Sequence, residues 1–185
     1  MNDRYIFRYI IILVIIVSVL LSGAAMLLHP YQKRNEENEK YTNILKAAGI
    51  HEVNKKNVAQ LFKQHCTSSV ESDLPMYIID NQITVIPMNG NGLWGPIWGY
   101  IGIAADGKTI VGAVFDHKSE TPGLGAEITT SEYQEQYEGK TLINNNESVS
   151  VEVDAIAGAT RTSKGVEEMI DRTLKLYLPY FEHEQ

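Results

Sequence analysis

The chain has 185 residues and a formal net charge of -7 at neutral pH, with 44% hydrophobic and 21% charged residues. That acidity excludes the nucleic-acid binders, which need a basic face and a high pI. With an N-terminal membrane span set aside, about 150 residues are left, the usual size of one compact domain with a single core.

Tyr9 to Leu28 contains no charged residue and is rich in Ile, Val and Leu. Its 20 residues suffice to cross about 30 Å of hydrocarbon at about 1.5 Å per residue. The segment is predicted as one transmembrane helix. A cleaved signal peptide is the competing reading, since Ser22-Gly23-Ala24-Ala25 has the small residues a peptidase needs, but signal-peptide apolar regions run only about 7 to 15 residues. Arg4 and Arg8 precede the span while Lys33, Arg34 and Lys40 follow it, so the positive-inside count leaves orientation open. The span carries no Asp, Glu, Lys or Arg, which argues against an ion path through this chain.

Tyr31 to Ala48 reads as a polar helix able to continue out of the membrane, with Ile44, Leu45 and Ala48 on one edge, stopped by Gly49. Asn57 to Cys66 is a second helix, with Val58, Leu61 and Phe62 on one face. The expected division is therefore 1–28 for the N-terminus and span, 29–50 for a helical neck and 51–185 for one domain. Cys66, the only cysteine, cannot form an internal disulfide and has no partners at metal-ligand spacing, so it is expected as a structural thiol in or near the core.

Met76–Ile79 and Ile83–Ile86 form a predicted hairpin through Asp80-Asn81. Asn89-Gly90-Asn91-Gly92 is expected as a flexible loop that brings Leu93 and Trp94 to the edge of the fold. Tryptophans in such a place either cover a ligand or pack into the core, and both readings stand for Trp94 and Trp98. Strands at 98–105 and 108–117 flank Asp106-Gly107, the strongest short hairpin signal in the chain. The loop from Glu120 to Glu127 carries Pro122, Gly123 and Gly125, which permit a sharply turned backbone with amides aimed at a ligand. A plain turn before a helix near 128–137 is the alternative. A further hairpin is expected over 140–153 through Asn144-Asn145-Asn146. The last helix is predicted over 162–178, with Val166, Met169, Ile170, Thr173, Leu174 and Tyr177 on one face.

Between the strand-like run 149–153 and that helix lies Asp154-Ala155-Ile156-Ala157-Gly158-Ala159-Thr160. Thr160 supplies a hydroxyl able to form an ester. Gly158 and Ala159 keep its approach open, and Asp154 is near enough in sequence to orient the hydroxyl or hold a divalent metal. A helix N-terminus here would offer backbone N–H groups and a positive field to an anion. The plainer alternative is a strand-to-helix turn with Thr160, Thr162 or Ser163 as N-cap.

This stretch resembles the site at which bacterial flavoproteins are esterified through a threonine oxygen to the phosphate of FMN. The family pattern usually has Ser or Thr where this chain has Ala157. Three further segments occur in the order expected of the NqrC family, the flavin-bearing NqrC subunits of the sodium-translocating NADH:quinone reductase. They are the N-terminal span running into Asn43–Gly49, then Gly92–Tyr100 and Glu120–Glu127. The threonine motif and the Thr-Pro-Gly-Leu-Gly loop also resemble the related RnfG branch, from the Rnf electron transport complex. The Leu-Trp-Gly-Pro run and the Ile-Leu-Lys-Ala-Ala-Gly segment favour the quinone reductase.

The resemblance implies an α+β fold, with one N-terminal transmembrane helix followed by one extracytoplasmic FMN-binding domain whose antiparallel sheet is flanked by helices. It implies one covalent FMN per chain, on Thr160. The expected flavin-site residues are Asp154, Gly158, Ala159 and Thr162, with Glu120, Thr121, Gly123, Leu124 and Gly125 from the loop that lines the flavin and Leu93 and Trp94 covering the ring. No catalytic residue or resident metal is expected. The implied role is a one-electron relay inside a six-subunit translocase with subunits A, B, D, E and F, inactive as an isolated chain. NADH is the donor, ubiquinone or menaquinone the acceptor, and sodium is exported. A flavin transferase would load the cofactor, and the domain would sit outside the bacterial cytoplasmic membrane. A non-covalent membrane-anchored FMN module and a structural subunit without flavin are the readings from other classes.

Overall fold

The computed structural model describes residues 3–54, 57–71, 74–145 and 148–183. The chain divides into two compact units, Met1–Glu39 and Lys40–Gln185. Helix α1 (Asp3–Ala47) is continuous through Pro30, so the predicted span and the polar helix after it form one element. It is long and apolar enough to cross a membrane, and the large apolar side chains from Phe7 to Leu28 are exposed.

The second unit is α+β, as expected. Five strands form an antiparallel meander in the order β1-β2-β3-β4-β5: β1 (Cys66–Glu71), β2 (Leu74–Ile79), β3 (Ile83–Asn91), β4 (Pro96–Ala104) and β5 (Ile110–His117). The β2–β3 turn holds Asp80 and Asn81 at φ 50 and 55, and the β4–β5 turn holds Gly107 at φ 68. Positive φ at those positions matches the right-handed twist of the paired strands. Side chains alternate across the sheet. Ile86, Met88, Ile97, Ile101, Ala113 and Phe115 enter the larger core, and Val85 and Val114 enter the smaller one on the other face.

The larger core is closed by α4 (Thr160–His183), whose Val166, Met169, Ile170, Leu174 and Tyr177 are buried at helical spacing. Each such side chain contributes about 1.5–3 kcal/mol on burial. Phe115, Tyr133 and Tyr137 pack edge to face within it, and burial pushes the Tyr137 phenol far above its ordinary pKa. The smaller core is closed by α2 (Val58–His65) and the last turns of α1, where Ile44 and Ala47 are fully buried. Gly49, at φ 79, ends α1: its amide donates to the Lys46 carbonyl at 2.9 Å and that of Ile50 to Leu45 at 2.9 Å. This is the double bond pattern of a Schellman cap. The same helix end lies on the cross-strand pair Gly102–Gly112, where a Cβ on Gly102 would collide with the Ala47 carbonyl. The segment expected as a neck over 29–50 thus contributes core residues to the second unit.

Several local expectations are corrected. The Asn89–Asn91 segment is strand, paired with Trp98, Ile97 and Pro96, so the turn narrows to Gly92–Gly95 and is closed by the Gly92 amide on the Gly95 carbonyl at 2.8 Å. Strand β1 was not expected at all. The helix expected over 128–137 is broken into a 3-10 turn (Gly125–Thr129), a single α-turn, α3 (Ser131–Gln134), and a second 3-10 turn (Glu135–Tyr137). Thr130 interrupts it by taking extended backbone and capping the Tyr133 amide. The hairpin over 140–153 shrinks to β6 (Ile143–Asn144) and β7 (Val149–Ser150), with Asn146 outside the described residues. Val151 and Val153 pack on the core without ladder partners among the described residues. Cys66 begins β1, half-buried against the smaller core, and burial raises its thiol pKa.

Candidate functional site

Three chain segments meet at the N-terminal end of α4: the Gly92–Gly95 turn between β3 and β4, the loop after β5, and the turn into α4 itself. Helix α4 starts at Thr160, two residues before the expected start, and Gly158 at φ 75 makes the turn into it. None of the three hydroxyl residues is the N-cap. The residue before the helix is Ala159, buried, whose carbonyl accepts the Ser163 amide at 3.0 Å.

The three hydroxyls differ in what they do. The Ser163 side chain is buried (2% exposed), donating to the Ala159 carbonyl at 3.2 Å and accepting from the Ile156 amide at 3.1 Å. Thr162 is 1% exposed and donates to Glu120 Oε2 at 2.6 Å. Both hydroxyls hold the turn in shape. Thr160 is exposed, and its hydroxyl has no hydrogen-bond partner among the described residues. It opens a helix of 24 residues, whose first amides lack intrahelical acceptors and whose positive end favours an anion. Arg161 and Lys164 are exposed on the same first turns.

Glu120 is buried (5% exposed), and its Oε1 accepts the Trp94 amide at 2.8 Å. Gly92 and Gly125 flank the carboxylate: a Cβ on Gly92 would lie 2.5 Å from Oε1, and one on Gly125 would overlap Oε2 and lie 2.6 Å from Thr162 Oγ1. The loop after Glu120 is self-contained. The Thr121 carbonyl accepts the Leu124 and Ala126 amides at 3.1 Å each, and Glu127 Oε1 accepts the Gly123 amide at 3.1 Å. These amides are engaged inside the loop rather than aimed at a ligand as the nest reading expected. Gly123 takes φ 75 with open space around it.

Leu93, Trp94 and Leu124 are 47%, 66% and 41% exposed. Leu124 leans on Gly158, where a Cβ would sit 3.0 Å from Leu124 Cδ2. The geometry therefore brings together Leu93, Trp94, Glu120, Leu124, Gly125, Gly158, Ala159, Thr160 and Thr162. Asp154 is exposed and tied elsewhere: its amide donates to Gln136 Oε1 at 2.8 Å, and its carboxylate makes no hydrogen bond to Thr160. The close seat of α4 on β3, where a Cβ on Gly165 would collide with the Asn91 carbonyl, was not among the expected features. Gly165 sits inside an amphipathic helix, and that placement was its only sequence signal. An unhindered hydroxyl in a positive field beside exposed apolar side chains fits a phosphate ester carrying a flat aromatic ring.

The family described as "FMN-binding domain" matches residues 92–175, which span all three segments. The NqrC subunit of the Na(+)-translocating NADH-quinone reductase from Haemophilus ducreyi is 29% identical, over 85% of this chain and 84% of its own. The crystal structure of the same subunit from Parabacteroides distasonis superposes with a TM-score of 0.70 at 30% identity, covering 83% of this chain and 96% of that one. The chain belongs to the NqrC family. A second solved structure, NqrC of Shewanella oneidensis, shares the fold with a TM-score of 0.68 at 20% identity, covering 83% of this chain and 98% of that one. The matched residues 92–175 run from the β3–β4 turn through the loop after β5 into α4.

Proposed function

We propose that this chain is the membrane-anchored flavin carrier of a sodium-translocating NADH:quinone reductase, holding one FMN through a phosphoester to Thr160. The observation that carries the reading is the contrast among three neighbouring hydroxyls, of which Thr160 alone is exposed and unengaged among the described residues while Thr162 and Ser163 are buried in structural bonds. Thr160 would hold the phosphate, with Arg161, Lys164 and the α4 N-terminus favouring its charge. Leu93, Trp94 and Leu124 would cover the ring, and Gly158 and Ala159 leave the approach clear. Ala157 is itself exposed, so its missing hydroxyl leaves no buried partner unsatisfied.

When bound, FMN supplies single-electron exchange, and the protein contributes position and electrostatics. The proposed role is a relay between redox centres of the complex during NADH oxidation, quinone reduction and sodium export. Subunits A, B, D, E and F are the partners, α1 is the anchor, and the flavin domain lies on the outer face of the bacterial inner membrane. The names of the relatives support the complex, and the apolar helix supports the anchor.

The test is co-expression of the full chain with a flavin transferase, followed by denaturing electrophoresis. Flavin fluorescence that stays with the wild-type band and is absent from Thr160→Ala is the expected result. Flavin released by acid precipitation indicates a non-covalent module, and a colourless wild type indicates a structural subunit; either contradicts the tethered carrier.

A further inference from the structure

Glu120 differs from the other carboxylates around the site in being buried without a cation. It enters none of the ion pairs among the described residues. A buried carboxylate is costly unless hydrogen bonds and a favourable field replace its water. Here both oxygens are engaged, one by the Trp94 amide at 2.8 Å and the other by the Thr162 hydroxyl at 2.6 Å. The latter bond lies in the first turn of α4, where the helix dipole favours negative charge. The backbone of Glu120 is fixed in turn, its amide donating to His117 Nδ1 at 3.1 Å. Gly92 and Gly125 make the room, since a side chain on either would evict the carboxylate. Segments 26 and 42 residues away in sequence thus meet on one side chain.

We propose that Glu120 is a positioning residue whose buried carboxylate sets the spacing between Thr160 and the apolar surface of Leu93, Trp94 and Leu124. For its flavin part this rests on the reading above: the spacing fixes the surroundings of an FMN tethered at Thr160. Glutamine at 120 can keep both bonds, because its oxygen accepts the Trp94 amide while its nitrogen donates to the Thr162 hydroxyl, a group that can also accept. Alanine keeps neither. Thr162→Val removes one arm, and Thr162→Ser restores it.

The experiment uses the full chain in detergent and takes two readouts. In chains loaded by a flavin transferase, the visible circular dichroism of the flavin and its quenching by iodide should move toward those of free FMN in Glu120→Ala and Thr162→Val. They should stay at wild type in Glu120→Gln and Thr162→Ser. In unloaded chains, the Trp94 amide should exchange with solvent about tenfold faster or more in Glu120→Ala, the ratio expected from losing its hydrogen-bond acceptor. It should keep its wild-type rate in Glu120→Gln. If Glu120→Ala does not fold, Thr162→Val against Thr162→Ser decides by the flavin spectra. A wild-type flavin spectrum in loaded, folded Glu120→Ala or Thr162→Val overturns the positioning role, whatever the exchange rate. If the wild type takes up no flavin, the carrier reading fails by itself, and unaltered Trp94 exchange in Glu120→Ala would still overturn the link from this loop to α4.

Discussion

Two carboxylates close opposite ends of the β4–β5 pair, one by local bonds in water and the other by distant bonds in the interior. Asp106 at the tight turn accepts the Lys108 amide at 2.9 Å, the Thr109 amide at 2.8 Å and the Thr109 hydroxyl, all within three residues. It is exposed, so water competes for every one of those bonds. Glu120, beyond the other end, is buried and reaches 26 residues back and 42 forward. The first organises a turn that its own sequence already favours. The second holds together segments that no local preference would bring into contact, and it does so where the candidate site lies.

The comparison can be broken most severely at Gly125. Gly125→Ala places a methyl on Glu120 Oε2 and Thr162 Oγ1. It should lower stability by about 2–3 kcal/mol through overpacking and lost hydrogen bonds, measured by urea unfolding. Glu120→Ala should cost about 2 kcal/mol, since the Trp94 amide and Thr162 hydroxyl lose their acceptor. Asp106→Ala should cost less than about 1 kcal/mol, because an exposed set of hydrogen bonds is discounted by solvent. A larger loss at Asp106 than at Glu120 would overturn the contrast.

The smallest effect is a pH dependence. Bonds from the Thr109 hydroxyl, the Thr109 amide and the Lys108 amide hold the Asp106 carboxyl below its ordinary 3.8. With a folded pKa depressed in this way, its contribution is present above the unfolded value and is lost as pH falls through the folded one. The stability difference between wild type and Asp106→Asn should therefore be constant near neutrality, begin to shrink as pH falls past about 3.8, and be lost only as pH falls further through the lower folded value. A pH series of unfolding midpoints from neutrality down through that acidic range would check it. A difference that grows on acidification contradicts the assignment.

The same contrast explains what could be read from the chain alone. Asp80-Asn81 and Asp106-Gly107 announce their hairpins because positive φ is a local demand. The stripe from Val166 to Tyr177 announces α4 because its period is local too. Strand β1 escaped notice because Cys66-Thr67-Ser68-Ser69 has neither alternation nor a run of β-branched apolar residues. The helix expected over 128–137 breaks at Thr130, whose capping role only the fold exposes. At the site, the expected residues Glu120, Gly125, Thr162 and Trp94 do come together. What no local pattern carried was the bond from Glu120 to Thr162, or the burial that separates Thr162 and Ser163 from Thr160.

Fragmentation mass spectrometry of the peptide covering residues 154–164, from the full chain co-expressed with a flavin transferase, tests the central claim most directly. The expected spectrum carries the FMN mass on Thr160 in wild type and in Ser163→Ala, and no FMN in Thr160→Ala. FMN mass on Thr162 or Ser163, or an unmodified wild-type peptide, would contradict the assignment of the exposed threonine as the flavin's attachment point.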